Sequence, residues 1–138
     1  KVHKNKKLLG SNLEKLKRYL PLVVSRCSSL GEIYRASSFL FEEDEVRQKN
    51  VLALLDDKSK NTLMNFLTSI QSISPTWNSE RLNEFIKDFC EENNLNFRDI
   101  GVPLRIAITG SASSPSIVHI MEILGEYQTL KRLKITVD

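Results

Sequence analysis

The chain is 138 residues long, 41% hydrophobic and 27% charged, with a net charge of +3, enough to bury one modest core or to build two small helical units that share a face. Its longest apolar runs, residues 20–24 and 117–121, fall far short of the roughly 20 residues a membrane helix requires, and no signal-peptide pattern opens the sequence, so the expected location is the cytoplasm. Cys27 and Cys90 stand far apart with no second Cys or His at ligand spacing, which favours buried free thiols over a metal site, and a reducing compartment argues against a disulfide.

The charge is unevenly spread. Residues 1–36 carry nine Lys/Arg against two Glu, residues 37–102 carry seven basic against twelve acidic side chains, and the remainder four against three. A basic first third beside an acidic middle is compatible with phosphate contact, although a solvated basic face accounts for the cluster from Lys1 to Lys7 equally well.

Ser11-Asn12-Leu13-Glu14 has the form of a capping box, and Leu13, Leu16, Leu20 and Val23 or Val24 recur at helical spacing. The pattern predicts a helix from Ser11 that ends near Arg26, with Pro21 either kinking it or restarting it at a new first turn. Ser29-Leu30-Gly31-Glu32 is a second capping box, opening a short helix whose buried side is Ile33, Ala36 and Leu40. The acidic residues 42–45 suit the first turn of the helix that follows.

Asp56-Asp57-Lys58-Ser59 reads as a break, after which Leu63, Phe66, Leu67 and Ile70 mark an amphipathic helix that ends before Ser74-Pro75. In Trp77-Asn78-Ser79-Glu80-Arg81-Leu82 an Asn N-cap is flanked by Trp77 and Leu82 at the staple positions, and Leu82, Phe85, Ile86 and Phe89 continue the apolar face. Glu92-Asn93-Asn94 ends that helix, and the residues from Asn96 to Ile100 supply one or two further turns. Residues 103–109 are ambiguous locally, because Ile106 and Ile108 favour a strand whereas Pro103 and Gly110 stand where a helix starts and stops. With helical segments on every side a lone strand has no partner, so the expectation is a short helix and not a βαβ unit. Ser114-Pro115 is expected to open the next helix with Pro at its first position, Ile117, Ile120, Met121 and Leu124 forming its face and Gly125 ending it. A last helix is expected over residues 126–134. There is no internal repeat, low-complexity tract or glycine-rich phosphate loop.

No catalytic constellation is evident. His3 and His119 are the only histidines, and neither stands in a pattern that suggests a Ser/His/Asp or Cys/His arrangement. Thr109-Gly110-Ser111-Ala112-Ser113-Ser114 lacks the glycine spacing and lysine of a P-loop, and reads as a turn between helices.

The run Leu104-Arg105-Ile106-Ala107-Ile108-Thr109-Gly110-Ser111, with Leu124-Gly125 and Leu130-Lys131-Arg132-Leu133 after it, resembles the end of bacterial glutamyl-tRNA synthetases. Further anchors occur in the same order: Arg26-Cys27-Ser28-Ser29-Leu30-Gly31-Glu32, similar to the family's Arg-Cys-Lys-Thr-Leu-Arg-Glu pattern; Phe39-Leu40-Phe41-Glu42-Glu43; and Trp77 before its helix. The resemblance runs from about Leu16 to Leu133. It implies an all-α fold, an anticodon-binding helical bundle of two small subdomains over residues 11–44 and 45–138, with residues 1–10 an N-terminal extension. The class I nucleotide-binding signatures are absent, so the chain is expected to be a fragment without catalytic, cofactor or metal residues. ATP and Mg would belong to an N-terminal catalytic domain, which is the expected partner together with the anticodon loop of glutamate tRNA. The chain is expected to be a monomer with no membrane association.

Six residues carry the implied RNA contact. Arg26 aligns with the family arginine that meets the third anticodon base, a cytosine in glutamate tRNAs, while Arg105, Ser114, Pro115, Ile117 and Val118 occupy the positions that meet the first two. Val118 stands where some relatives have an aromatic, which weakens stacking. Ile117 and Val118 also fit a purely structural role in the core, and Trp77 fits a staple better than a stacking platform. The competing reading is a helical protein-interaction module without RNA binding.

Overall fold

The structure is a computed structural model that describes residues 11–41, 51 and 53–138. Helix α1, Ser11–Val23, contains Pro21 in its last turn. Pro21 cannot donate to the Lys17 carbonyl, yet the helix runs two residues beyond it before the chain tightens into a 3₁₀ turn, Val24–Arg26, and Cys27 becomes extended. Ser29 caps α2, Leu30–Ser37, by accepting from the Glu32 amide at 3.2 Å. The Glu32 carboxylate reaches one residue beyond the expected box, accepting from the Ser28 amide at 2.6 Å and the Ser28 hydroxyl at 3.1 Å. A second 3₁₀ turn, Ser38–Leu40, buries Phe39 and Leu40. The acidic residues 42–45 and the expected subdomain boundary between 44 and 45 lie outside the described residues.

Asp56 is a cap, not a break: it accepts from the Ser59 amide at 2.8 Å and starts α3, Asp57–Ile73, which buries Leu63, Phe66, Leu67 and Ile70 as the periodicity predicts. Ser74 closes α3 in the left-handed region at φ 51°. Asn78 caps α4, Ser79–Glu92, which buries all four expected apolar residues and Cys90.

The largest departure from the sequence reading is α5. One helix, Phe97–Thr109, runs straight through Pro103, opened by the Asp99 carboxylate accepting from the Asn96 amide at 2.8 Å and closed by Gly110 at φ 81°. Pro103 is therefore interior and buried, not a first residue. The lost hydrogen bond is tolerated because the helix buries Ile100, Leu104, Ala107 and Ile108 completely. Pro115 also departs from expectation. It lies in the loop ahead of α6, Ile117–Leu124, whose N-cap is Ser116. Gly125, at φ 87°, links α6 to α7, Glu126–Val137, which extends past residue 134.

Helix α3 packs on α5 and α7, α4 packs on α6, and α1 reaches α6 and the second 3₁₀ turn. No strand occurs among the described residues. One cluster of buried side chains runs from Tyr19, Val23, Phe39 and Leu40 through the aromatic group Phe66, Phe85 and Phe89 to Ile120 and Leu133, so residues on both sides of the expected subdomain boundary share a core. Arg132 stitches the sides together: 3% exposed, it donates to the Ile108 carbonyl at 2.6 Å and the Phe39 carbonyl at 2.9 Å.

Candidate nucleic-acid interface

A cleft of about 330 Å³ opens where the α1–α2 segment meets the loop between α5 and α6. On one wall stand Tyr19, Val23, Arg26 and Cys27; on the other are Thr109, Ser111, Ser113, Ser114 and Pro115, with Arg35 and Ala36 contributed by α2. Among the described residues no carboxylate lines it. The combination of guanidinium groups, hydroxyls and a few apolar surfaces offers hydrogen-bond donors and a positive potential to a polar, anionic ligand.

Each part is held by local structure. Arg26 ends the 3₁₀ turn that follows α1, which places its exposed side chain at the cleft instead of on a continuing helix. Tyr19 is 1% exposed and donates to the Ala36 carbonyl at 3.1 Å, clamping α2 to α1. Burial pushes its hydroxyl pKa up to about 12, with the positive charge of Arg26 working the other way. The facing loop is knitted by its own hydroxyls: Thr109 Oγ1 donates to the Arg105 carbonyl at 2.7 Å and accepts from the Ser111 amide at 3.2 Å, while Ser111 Oγ accepts from the Ser113 amide at 3.2 Å. That network presents Ser113, Ser114 and Pro115 in a fixed conformation.

Three of the six expected site residues, Arg26, Ser114 and Pro115, therefore line one cleft. Arg105 is half-buried and does not line the cleft; burial lowers its pKa first, and the charge of Arg26 lowers it further. Ile117 and Val118 are 1% and 6% exposed and face the core. What they can present to a ligand is main chain, because the first-turn amides of a helix have no partner within it. Trp77 is anchored: its indole N–H donates to the Met121 carbonyl at 2.8 Å, and the partly buried ring packs against the core. The ring is committed to the fold. Sequence reasoning missed Arg35, Thr109, Ser111 and Ser113, which reach the cleft only because α2 and the α5–α6 loop converge.

Cys27 is half-buried at the cleft wall and Cys90 lies in the core, where burial raises its thiol pKa and the charge of Asp99 acts in the same direction. Among the described residues no cluster of three or more His, Cys, Asp and Glu side chains could hold a metal ion, and no helix is long and apolar enough to cross a membrane.

A family model described as an anticodon binding domain matches residues 3–137. Glutamate–tRNA ligase 1 of Hyphomonas neptunium is 31% identical over 133 residues, an overlap of 96% of this chain and 27% of that protein. Glutamate–tRNA ligase 2 of Maricaulis maris is 31% identical over 122 residues, covering 87% of this chain and 25% of that protein. A crystal structure of a glutamate tRNA ligase from Elizabethkingia meningosepticum, in complex with its amino acid, shares the fold over 96% of this chain and 30% of its own, with a TM-score of 0.62 and 18% sequence identity. The chain spans about a quarter of the length of the curated relatives it matches.

Proposed function

We propose, from the premise that this chain belongs to the family of anticodon binding domains, that it reads the anticodon loop of glutamate tRNA as the C-terminal part of a cytoplasmic, monomeric glutamate–tRNA ligase. Catalysis, with its ATP and Mg, then belongs to an N-terminal part of that enzyme, and residues 11–44 and 45–138 act as two subdomains that share the reading cleft. The observation that carries this is the convergence of Arg26 with Ser114 and Pro115 on a cleft whose described lining includes no carboxylate.

The chemistry of the cleft suits a single-stranded base. A guanidinium has five N–H donors and no acceptor, which fits N3 and O2 on the pairing edge of cytosine. Guanine presents donors at N1 and N2, so donor would face donor. Leaving such groups unmatched costs about 1–3 kcal/mol, or roughly a tenfold to hundredfold preference. Arg26 is the selector of the third anticodon base. Arg105 adds charge and donors beside it. Ser114, Pro115 and the first-turn amides at Ile117 and Val118 form the opposite wall, where small and apolar surfaces lie against a splayed base and amides meet its acceptors.

Titrating the chain with an anticodon stem-loop of glutamate tRNA at low and moderate salt tests this reading. Binding that weakens steeply as salt rises is the expected result. No binding at low salt would overturn it in favour of a protein-interaction module.

A further inference from the structure

Helical side chains lean back toward the N-terminus, so a residue at position i+4 covers the backbone at position i. Two arginines, Arg35 and Arg105, use this lean in the same way, each over a glycine. A Cβ added to Gly31 would stand 3.5 Å from Nη1 of Arg35, and one added to Gly101 would stand 3.2 Å from Nη1 of Arg105. Each guanidinium is therefore drawn back over a turn of bare helix and does not extend away from it. For Arg105 the seat is walled by the Phe97 ring, 3.1 Å from the same Cβ position. The seat of Arg35 is open, and its side chain lines the cleft with Arg26.

The electrostatics of Arg35 leave it available. Glu32, one turn earlier, feels its charge, yet the hydrogen bonds that chiefly lower the Glu32 pKa come from Ser28, whose amide and hydroxyl lie 2.6 Å and 3.1 Å from one carboxylate oxygen. That oxygen serves the N-terminus of α2, and no ion pair within 4.0 Å joins Glu32 to Arg35. Among the described residues the cleft lining holds no acidic side chain. Helix α2 also carries a solvent-facing side, with Leu30 and Tyr34 85% and 64% exposed. A seated guanidinium on a wet helix, with hydroxyls opposite and no described acid in the lining, suits a phosphate better than a base edge. Its planar fork matches two phosphate oxygens at once, and a phosphate does not need water excluded to be held.

We propose that Arg35, seated over Gly31, is a further RNA-contacting residue of this cleft, and that it holds a phosphate of the anticodon-loop backbone while Arg26 reads a base. The proposal rests on the reading of the cleft as an anticodon interface. Phosphate contacts set register and affinity without carrying sequence, whereas base contacts carry sequence. The two arginines should then separate in experiment.

The test is a titration of wild type, Arg35→Gln and Arg35→Lys with two anticodon stem-loops that differ only in the third anticodon base, cytosine or guanine, across a range of salt. Arg35→Gln is expected to bind both stem-loops about fivefold to tenfold more weakly, with an unchanged cytosine-to-guanine ratio and a salt slope shallower by about 0.7, the share of one single-strand phosphate. Arg35→Lys should retain the slope and recover part of the affinity, because it keeps the charge and loses the fork. An unchanged melting temperature is expected in both variants, since the side chain is exposed. Wild-type affinity in Arg35→Gln would overturn the contact. A changed base ratio would overturn the phosphate assignment, and failure of wild type to bind either stem-loop would overturn the anticodon reading along with it.

Discussion

The bundle α3–α7 and the segment from Ser11 to Phe41 use the same side-chain type in opposite ways. In the bundle Arg132 is buried, with Ile108 and Phe39 carbonyls as acceptors and the Phe39 ring 6.0 Å from its guanidinium carbon. In the segment Arg26 and Arg35 are exposed on a cleft with no acid among its described lining residues. The bundle also supplies most of the core, whereas the segment gives it mainly Tyr19, Val23, Phe39 and Leu40. The difference separates holding from display: Arg132 and the shared apolar core hold the segment on the bundle, and the exposed arginines at the seam contribute little to holding the fold.

Arg132→Met should break that separation most severely. It keeps the side chain's bulk and strands two buried carbonyls, at a cost of about 2–4 kcal/mol and roughly 10 °C in melting temperature. Because Phe39 lines the cleft, RNA affinity should fall as well. A calorimetric scan with the wild-type melting temperature would mean that Arg132 is not the stitch described.

Arg105→Ala should act on one side only. Weaker binding to cytosine and guanine stem-loops alike, by about tenfold, is expected with the melting temperature held or slightly raised, since a like charge beside Arg26 is removed. Unchanged affinity in the folded variant would take Arg105 out of the site.

The smallest effect belongs to a contact inside the segment, between α1 and α2. Tyr19→Phe removes the hydrogen bond to the Ala36 carbonyl, worth about 1 kcal/mol at neutral pH. The folded pKa of Tyr19 is raised from 10.0 to about 12, so folding favours its neutral form. That contribution is complete below pH 10 and is lost as pH rises through about 12. Denaturant melts of the wild type should show stability falling across that window, and the Phe variant should lose this component of the fall. Parallel curves would contradict the assignment.

How legible each region was follows from the same contrast. The buried faces of α3 and α4 could be read residue by residue, because Leu63, Phe66, Leu67 and Ile70, then Leu82, Phe85, Ile86 and Phe89, keep helical spacing; the Asn78 cap was legible as well, whereas the Asp56 cap was read as a break. Pro103 misled, since a proline signals a helix start locally and only burial of its neighbours shows why an interior one survives. Pro115 misled for a related reason: it marks a loop wall, one turn short of the helix it seemed to open. In the site, Arg26 was legible through a family pattern. Arg35 was not, because nothing in its own surroundings in the sequence indicates that α2 will face the loop after α5. Ile117 and Val118 suited contact and core equally on sequence, and their burial favours the core for their side chains.

The most direct test of the account is a side-by-side titration of wild type and Arg26→Gln against two anticodon stem-loops that differ only in cytosine or guanine at the third anticodon position. The account predicts a cytosine preference of roughly tenfold to a hundredfold in the wild type that collapses in Arg26→Gln while the melting temperature stays the same. An equal cytosine preference in both proteins would contradict it.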